Sequence, residues 1–180
     1  MRRLLTGLLA VVLHAAIVDQ IAISVGTKVI TDSQIDLRIR LTALENKTQP
    51  NFSLASRKQT AKLLIDQKLI EREMDVGHYP RTSPDDAKRL VEGYGAENFP
   101  DSSSLNAILT DSGLTVEDLG DYLTYRNDLL TFLDVRFRPA VDVAEQNPAI
   151  AQKKADQELE TWLADQRKRA RIVYLEKGLE

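Results

Sequence analysis

Histidine occurs only twice in this chain, as His14 and His78, and cysteine not at all. A histidine-based metal site or a Ser-His-Asp relay has too little to draw on. Disulfides, thiolate metal ligands and a cysteine nucleophile are excluded. His78 falls in a polar turn and reads as a surface residue. The close-spaced carboxylates Asp85/Asp86 and Glu71/Glu73 are adjacent or two apart, which makes no acid–base pair by itself. They fit a solvated helix surface and dipole stabilisation. There is no phosphate-binding glycine loop and no metal-ligand spacing. The run DQRKRAR, Asp165–Arg171, reads as the C-terminal end of a helix complementing its dipole, with a phosphate or lipid site as the alternative. No enzyme activity, metal or cofactor is expected from these side chains, so any function rests on binding.

The elements that must build a binding surface begin after a segment of a different kind. MRRLLTGLLAVVLHAA has a basic start (Arg2, Arg3), an apolar run (Leu4 to Leu13) and small residues at its end (Ala15, Ala16). This describes a secretory signal peptide over residues 1–16, with Leu13 and Ala15 at the third and first positions before the cut. The run is short for a permanent bilayer span, so no stable membrane span is expected after cleavage; an uncleaved anchor or a buried core helix are the other readings. No cysteine follows, so a bacterial lipoprotein anchor is excluded. Loss of Arg2 and Arg3 takes two from the 24 basic residues, which stand against 27 acidic ones. An acidic exported chain has little electrostatic reason to bind nucleic acid.

Residues 17–180 read as one domain: a core over 17–143, a connector over 144–150, and a C-terminal helix and strand over 151–180. Ile21, Ile23 and Val25 alternate with Ala22 and Ser24, and Gly26-Thr27 turns the chain into Lys28-Val29-Ile30, a β-hairpin. Thr31 or Asp32 caps a first helix reaching about Asn46, whose apolar residues are not cleanly at helical spacing. Ser53 caps a second, from Ala55 to Val76, with Leu64, Ile65, Leu69 and Ile70 on a wide apolar face and Gly77 just past its end. Ser83-Pro84 opens a third, short helix ending near Tyr94-Gly95. Ser102 or Ser103 starts a fourth, closed by Gly113. Thr115 caps a long fifth helix, where Leu119, Tyr122, Leu123, Arg126, Leu129, Leu130, Leu133 and Phe137 recur at threes and fours. The last helix spans about Ala151 to Arg169, with Leu159, Trp162 and Leu163 on one side, and Ile172–Leu175 reads as a strand.

Three stretches together resemble the SurA family of periplasmic chaperones and its parvulin-type relatives: VDQIAISVGTKVITDSQIDLRI, RKQTAKLLIDQKLIEREMDVGH and LTVEDLGDYLTYRNDLLTFLDVRFRP. The tail LETWLADQRKRARIVYL adds a match to the family's C-terminal helix and strand. The resemblance implies a mainly α, SurA N-domain-like module with a small β-sheet in which the N-terminal hairpin takes the C-terminal strand. It departs from the family where an isomerase domain should sit between the long helix and the C-terminal segment. Only Val141–Ile150 lies there, and no histidine follows His78.

The resemblance implies a periplasmic or otherwise exported, ATP-independent chaperone without prolyl isomerase activity. Its partners would be unfolded segments of envelope or outer-membrane proteins. Tyr122, Tyr125, Leu129 and Phe132 on the long helix are the candidate peptide-binding residues, and core packing is the competing role, above all for Tyr122. The alternatives are a structural or regulatory subunit docking one fixed envelope partner, and an enzyme with an unfamiliar carboxylate site. A homo-oligomer is compatible with the sequence.

Overall fold

The computed structural model describes residues 19–100, 105–138 and 148–180; the signal peptide expected over 1–16 and most of the connector expected over 144–150 lie outside them. The fold is mainly helical with a small three-stranded antiparallel sheet. The elements are β1 (Ile21–Val25), β2 (Lys28–Thr31), α1 (Asp32–Glu45), α2 (Leu54–Val76), α3 (Pro84–Asn98), α4 (Leu105–Asp111), α5 (Val116–Phe137), α6 (Pro148–Arg169) and β3 (Ile172–Tyr174).

The hairpin takes its third strand from the far end of the chain. The order is β2-β1-β3, and Ile23 faces Tyr174, Ser24 faces Val173 and Val25 faces Ile172. The hairpin register shifts between Ile21 and Ile23, and on β1 the Ala22 carbonyl, like the Gly26 N–H, points toward β3 by strand alternation. That oxygen accepts from the Leu175 N–H at 2.8 Å and the Glu176 N–H at 3.1 Å, while Gly26 N–H donates to the Arg171 carbonyl at 2.8 Å. Gly26 supplies the left-handed φ of +61° that the two-residue turn needs.

Three apolar clusters fill the molecule. The first lies under the sheet, where Ala22, Ile23, Val25 and Ile30 meet Ile35 and Ile39 of α1 and Ala61, Leu64, Ile65 and Leu69 of α2. The second joins Leu41 and Leu44 of α1 to Leu109, Leu114, Leu119, Tyr122 and Leu123, with Leu90, Val91 and Tyr94 of α3 packed on it. The third gathers Ile70 and Met74 of α2, Phe132 and Phe137 of α5 and Leu163 of α6. The irregular apolar spacing in α1 follows from this division. Ile35 and Ile39 make one i,i+4 stripe toward the sheet, and Leu37, Leu41 and Leu44 make another toward α5. Two narrow stripes on one helix blur any single periodicity.

Helix ends follow local side-chain chemistry. Thr31 and Thr115 each form a capping box, with Gln34 and Asp118, and Ser53 and Ser83 cap α2 and α3. Three expectations are corrected. Helix α3 runs through Gly93 and Gly95 to Asn98. Gly95 closes against the Leu105 side chain, and this packing with that of Tyr94 and Phe99 outweighs the glycines' poor helix propensity of about 1 kcal/mol each. Helix α6 starts at Pro148 rather than near Ala151, proline being tolerated in a first turn where no intrahelical N–H is needed. Leu130 is 64% exposed rather than part of the buried stripe of α5. Residues 102 and 103, the expected start of α4, lie outside the described residues. Gly77 ends α2 at an ordinary negative φ, and the left-handed residue is His78, φ 51°. Glycine is still needed at 77, because a Cβ there would collide with the Tyr79 ring. Among the described residues no helix is long and apolar enough to cross a membrane.

Candidate functional site

The helices α1, α2 and α5 do not close on one another along their whole length. Between them runs a groove of about 180 Å³. Its apolar surface comes from Leu37 and Leu41 of α1, Leu64 of α2, and Tyr122 and Tyr125 of α5. Arg38 and Lys68 contribute positive charge to the lining, Asp118 and Asp121 negative charge. This placement follows from the two-stripe character of α1, whose second stripe looks toward α5 while its first holds the sheet.

Tyr122 is fixed in place. Its hydroxyl donates to Glu45 Oε2, Arg126 Nη1 pairs with Glu45 Oε1, and the Arg38 guanidinium lies 4.6 Å from the ring centroid. Burial, with the Glu45 hydrogen bond second, pushes its phenol up to about 12. The Tyr122 ring is a rigid wall. Tyr125, one turn further on, is half-buried. Burial raises its phenol far above the ordinary value, with the Glu71 carboxylate adding to the effect. Both tyrosines stay neutral and present ring faces and hydroxyl groups, which suits binding of apolar side chains with polar edges.

The polar lining is largely engaged. Asp118 accepts from Thr115 N–H at 2.8 Å and Thr115 Oγ1 at 2.7 Å, so its carboxylate serves the helix cap. Lys68 Nζ donates to Glu71 Oε2 at 3.1 Å, and Gln67 Nε2 donates to Glu71 Oε1 at 2.8 Å. The Gln67 Oε1 atom is buried and has no hydrogen-bond partner. None of the lining residues is a serine, threonine or histidine.

The four residues singled out by sequence fall in two places, and Tyr125 reaches both, lining the groove and packing on the third cluster. Tyr122 and Tyr125 come together in the groove. Phe132 is 0% exposed and sits in the third cluster, its ring 5.1 Å from Tyr79, 5.9 Å from Phe137 and 5.6 Å from Trp162 between centroids. Leu129 packs on the same cluster. Along α5, four to ten residues separate the groove tyrosines from Leu129 and Phe132 in the core between α2 and α6. Sequence periodicity carries no signal for Gln67, which is polar and mid-helix. Arg38 could be suspected only as a cation set between Leu37 and Ile39.

Two other features bear on how firmly the groove is framed. Arg167 of α6 forms a two-point pair with Asp66 of α2, Nε to Oδ1 at 2.6 Å. A cation of the DQRKRAR run is thereby spent on a helix–helix contact. A larger opening of about 630 Å³ lies between α1, the loop after it and α4, lined by Arg40, Leu44, Pro50, Phe99 and Ile108.

No protein-family model matches the chain, and a search of curated proteins finds no match.

Proposed function

We propose that the protein is an exported, ATP-independent chaperone-like module that holds extended, unfolded segments of envelope proteins and has no prolyl isomerase activity. The observation that supports this best is the open groove between α1, α2 and α5, with its leucine and tyrosine surface and its balance of charges. A shallow apolar groove with few fixed polar demands accepts many sequences at modest affinity, driven by burial of apolar surface. The resemblance to SurA-like chaperones accords with the same reading. So does the arrangement of hairpin, helices and returning strand. In this reading Tyr122 is the fixed wall and Tyr125 the surface on which a client side chain lies. Leu129 and Phe132 support α5 from behind.

The test is aggregation of a denatured outer-membrane protein, followed by light scattering without nucleotide. Equimolar protein should slow it. Unchanged aggregation together with tight binding of one native envelope protein would mean a docking subunit instead.

A further inference from the structure

We propose that the outer edge of β3 is a strand-addition site for an extended acidic segment of another protein, which pairs with the main chain of Ile172 and Tyr174 and is selected by Arg169 and Arg171. The site shares no residue with the groove between α1, α2 and α5, and it stands or falls separately from peptide holding there.

The register decides which groups are free. Gly26 N–H donates to the Arg171 carbonyl and Leu175 N–H to the Ala22 carbonyl, both at 2.8 Å. In an antiparallel pair, bonded positions of this kind alternate with unbonded ones. With Ser24 facing Val173, residues 171, 173 and 175 turn their main-chain groups toward β1. Ile172 and Tyr174 turn theirs the other way. The sheet order is β2-β1-β3, so among the described residues no strand lies on that side. The N–H and C=O groups of Ile172 and Tyr174 have no hydrogen-bond partner there. Arg171, Tyr174 and Leu175 are exposed around them.

A matching occupant must supply acceptors for the N–H groups and donors for the carbonyls. A phosphate, free or on a lipid, offers oxygens alone and would meet the carbonyls unfavourably. An extended main chain brings both kinds of group at the right alternation. The charges then choose among chains. Of the cations in DQRKRAR, Arg167 pairs with Asp66 and Lys168 lies 3.7 Å from Asp165. Arg169 and Arg171 are exposed and have no carboxylate partner among the described residues. Cations on a strand edge repel a second copy of the same edge, and they attract a strand that carries carboxylates. In antiparallel addition, an apolar residue opposite Val173 and an acidic one two positions later, opposite Arg171, fall on one face of the sheet.

The experiment uses the full chain and a capped peptide of threonine, valine, threonine, glutamate, glycine and glutamate in that order, at millimolar concentration. Exchange of single amide hydrogens is read by nuclear magnetic resonance. In the free chain the Ile172 and Tyr174 N–H groups should exchange far faster than that of Val173, which is turned toward Ser24. Saturating peptide should slow both about tenfold. N-methylation of alternate peptide residues should weaken binding about tenfold, and methylation of the residues between them should not, since only every second N–H faces β3. Lysine in place of both glutamates should weaken binding about fivefold, and a chain carrying Arg169→Glu and Arg171→Glu should prefer the lysine peptide. Should that chain fail to fold, the alternation on the natural chain decides alone. Peptide that binds while Ile172 and Tyr174 exchange as before overturns this assignment and leaves holding by the groove untouched. Failure to bind, equal losses at every methylated position, or equal binding of the two peptides by the natural chain overturns it too. The same holds for a chain that sediments as a dimer with these amides already slow, where a second copy takes the edge, and for protection by anionic lipid vesicles but not by the peptide.

Discussion

Asp128 receives two hydrogen bonds from Thr82, one from the main-chain N–H at 2.7 Å and one from the hydroxyl at 2.6 Å. Arg81 adds a third at 3.2 Å, and Asn127 donates to the same Thr82 hydroxyl at 3.1 Å. The carboxylate is 6% exposed, and it locks the loop between α2 and α3 onto the middle of α5. Asp128→Ala should cost about 1.5–3 kcal/mol, because it strands the Thr82 N–H and one Arg81 donor. Asp128→Asn keeps an acceptor for Thr82 and should cost less. Urea unfolding of the three proteins checks both the loss and its order.

The two halves of the candidate set should behave differently. Phe132→Ala empties the centre of the third cluster and should cost about 3–5 kcal/mol. Tyr125→Ala trims a half-buried ring at the edge of that cluster, so it should cost less than Phe132→Ala, and it should weaken holding of denatured outer-membrane protein. Thermal melts alongside the aggregation assay separate the roles. A Tyr125→Ala protein that folds and holds clients normally would remove Tyr125 from the groove's function.

The tail of the chain is anchored beyond its strand. Ile172 is half-buried against the first cluster, Tyr174 is 37% and Leu175 55% exposed, but Leu179 is 3% exposed inside that cluster. Leu179→Ala should cost about 2–5 kcal/mol, and truncation after Lys168, which also removes β3, should cost more. A small domain has only about 5–15 kcal/mol in total, so the truncated chain should lie near unfolding. An unchanged melting temperature on truncation would contradict the pairing of β3 with β1.

A guanidinium among three carboxylates makes the tail sensitive to acidity. Arg57 Nη2 lies 2.7 Å from Asp32 and 3.1 Å from Glu176, and Nη1 pairs with Asp36. Burial raises the Glu176 carboxyl above its ordinary value, as does its hydrogen bond with Asp32, while Arg57 opposes the shift. Just above the ordinary glutamate value the folded chain keeps a proton that the unfolded chain has released. Stability from this group is therefore present below that value and is lost as pH rises through the raised one. Glu176→Gln should flatten the melting-temperature profile on the acidic side of neutrality and leave the protein at least as stable at neutral pH. A steeper profile would refute it.

Prolyl isomerisation should be unaffected. Proline-limited refolding of a model substrate, followed at several concentrations of this protein, should show no saturable acceleration.

Much of the architecture was legible because local chemistry agreed with it. Thr31, Ser53, Ser83 and Thr115 cap the helices they precede, and the Gly26 turn and the apolar residues at 172–175 announce the sheet. The misread boundaries are places where distant packing overrides a local signal: Leu105 against Gly95 carries α3 past its glycines. The groove was legible only through its tyrosines. Phe132 and Tyr125 look alike on α5, and both meet the third cluster; Tyr79 and Trp162 close over Phe132, while Tyr125 keeps one side on the groove. Asp128 matters through Thr82 and Arg81, partners that only the fold brings to it.

The middle strand of the sheet has one neighbour made early and one made late. Ile23 meets Ile30 as soon as the hairpin forms, but its other edge waits for Tyr174. Closing so wide a loop is slow relative to local contacts, and a chain emerging in order from the ribosome has β1's second edge bare until almost everything has followed. Exposed strand edges invite pairing with other chains. The nascent protein is thus a candidate for assistance by a chaperone, and a stalled or clipped copy lacking β3 carries an adhesive edge that the finished one has covered.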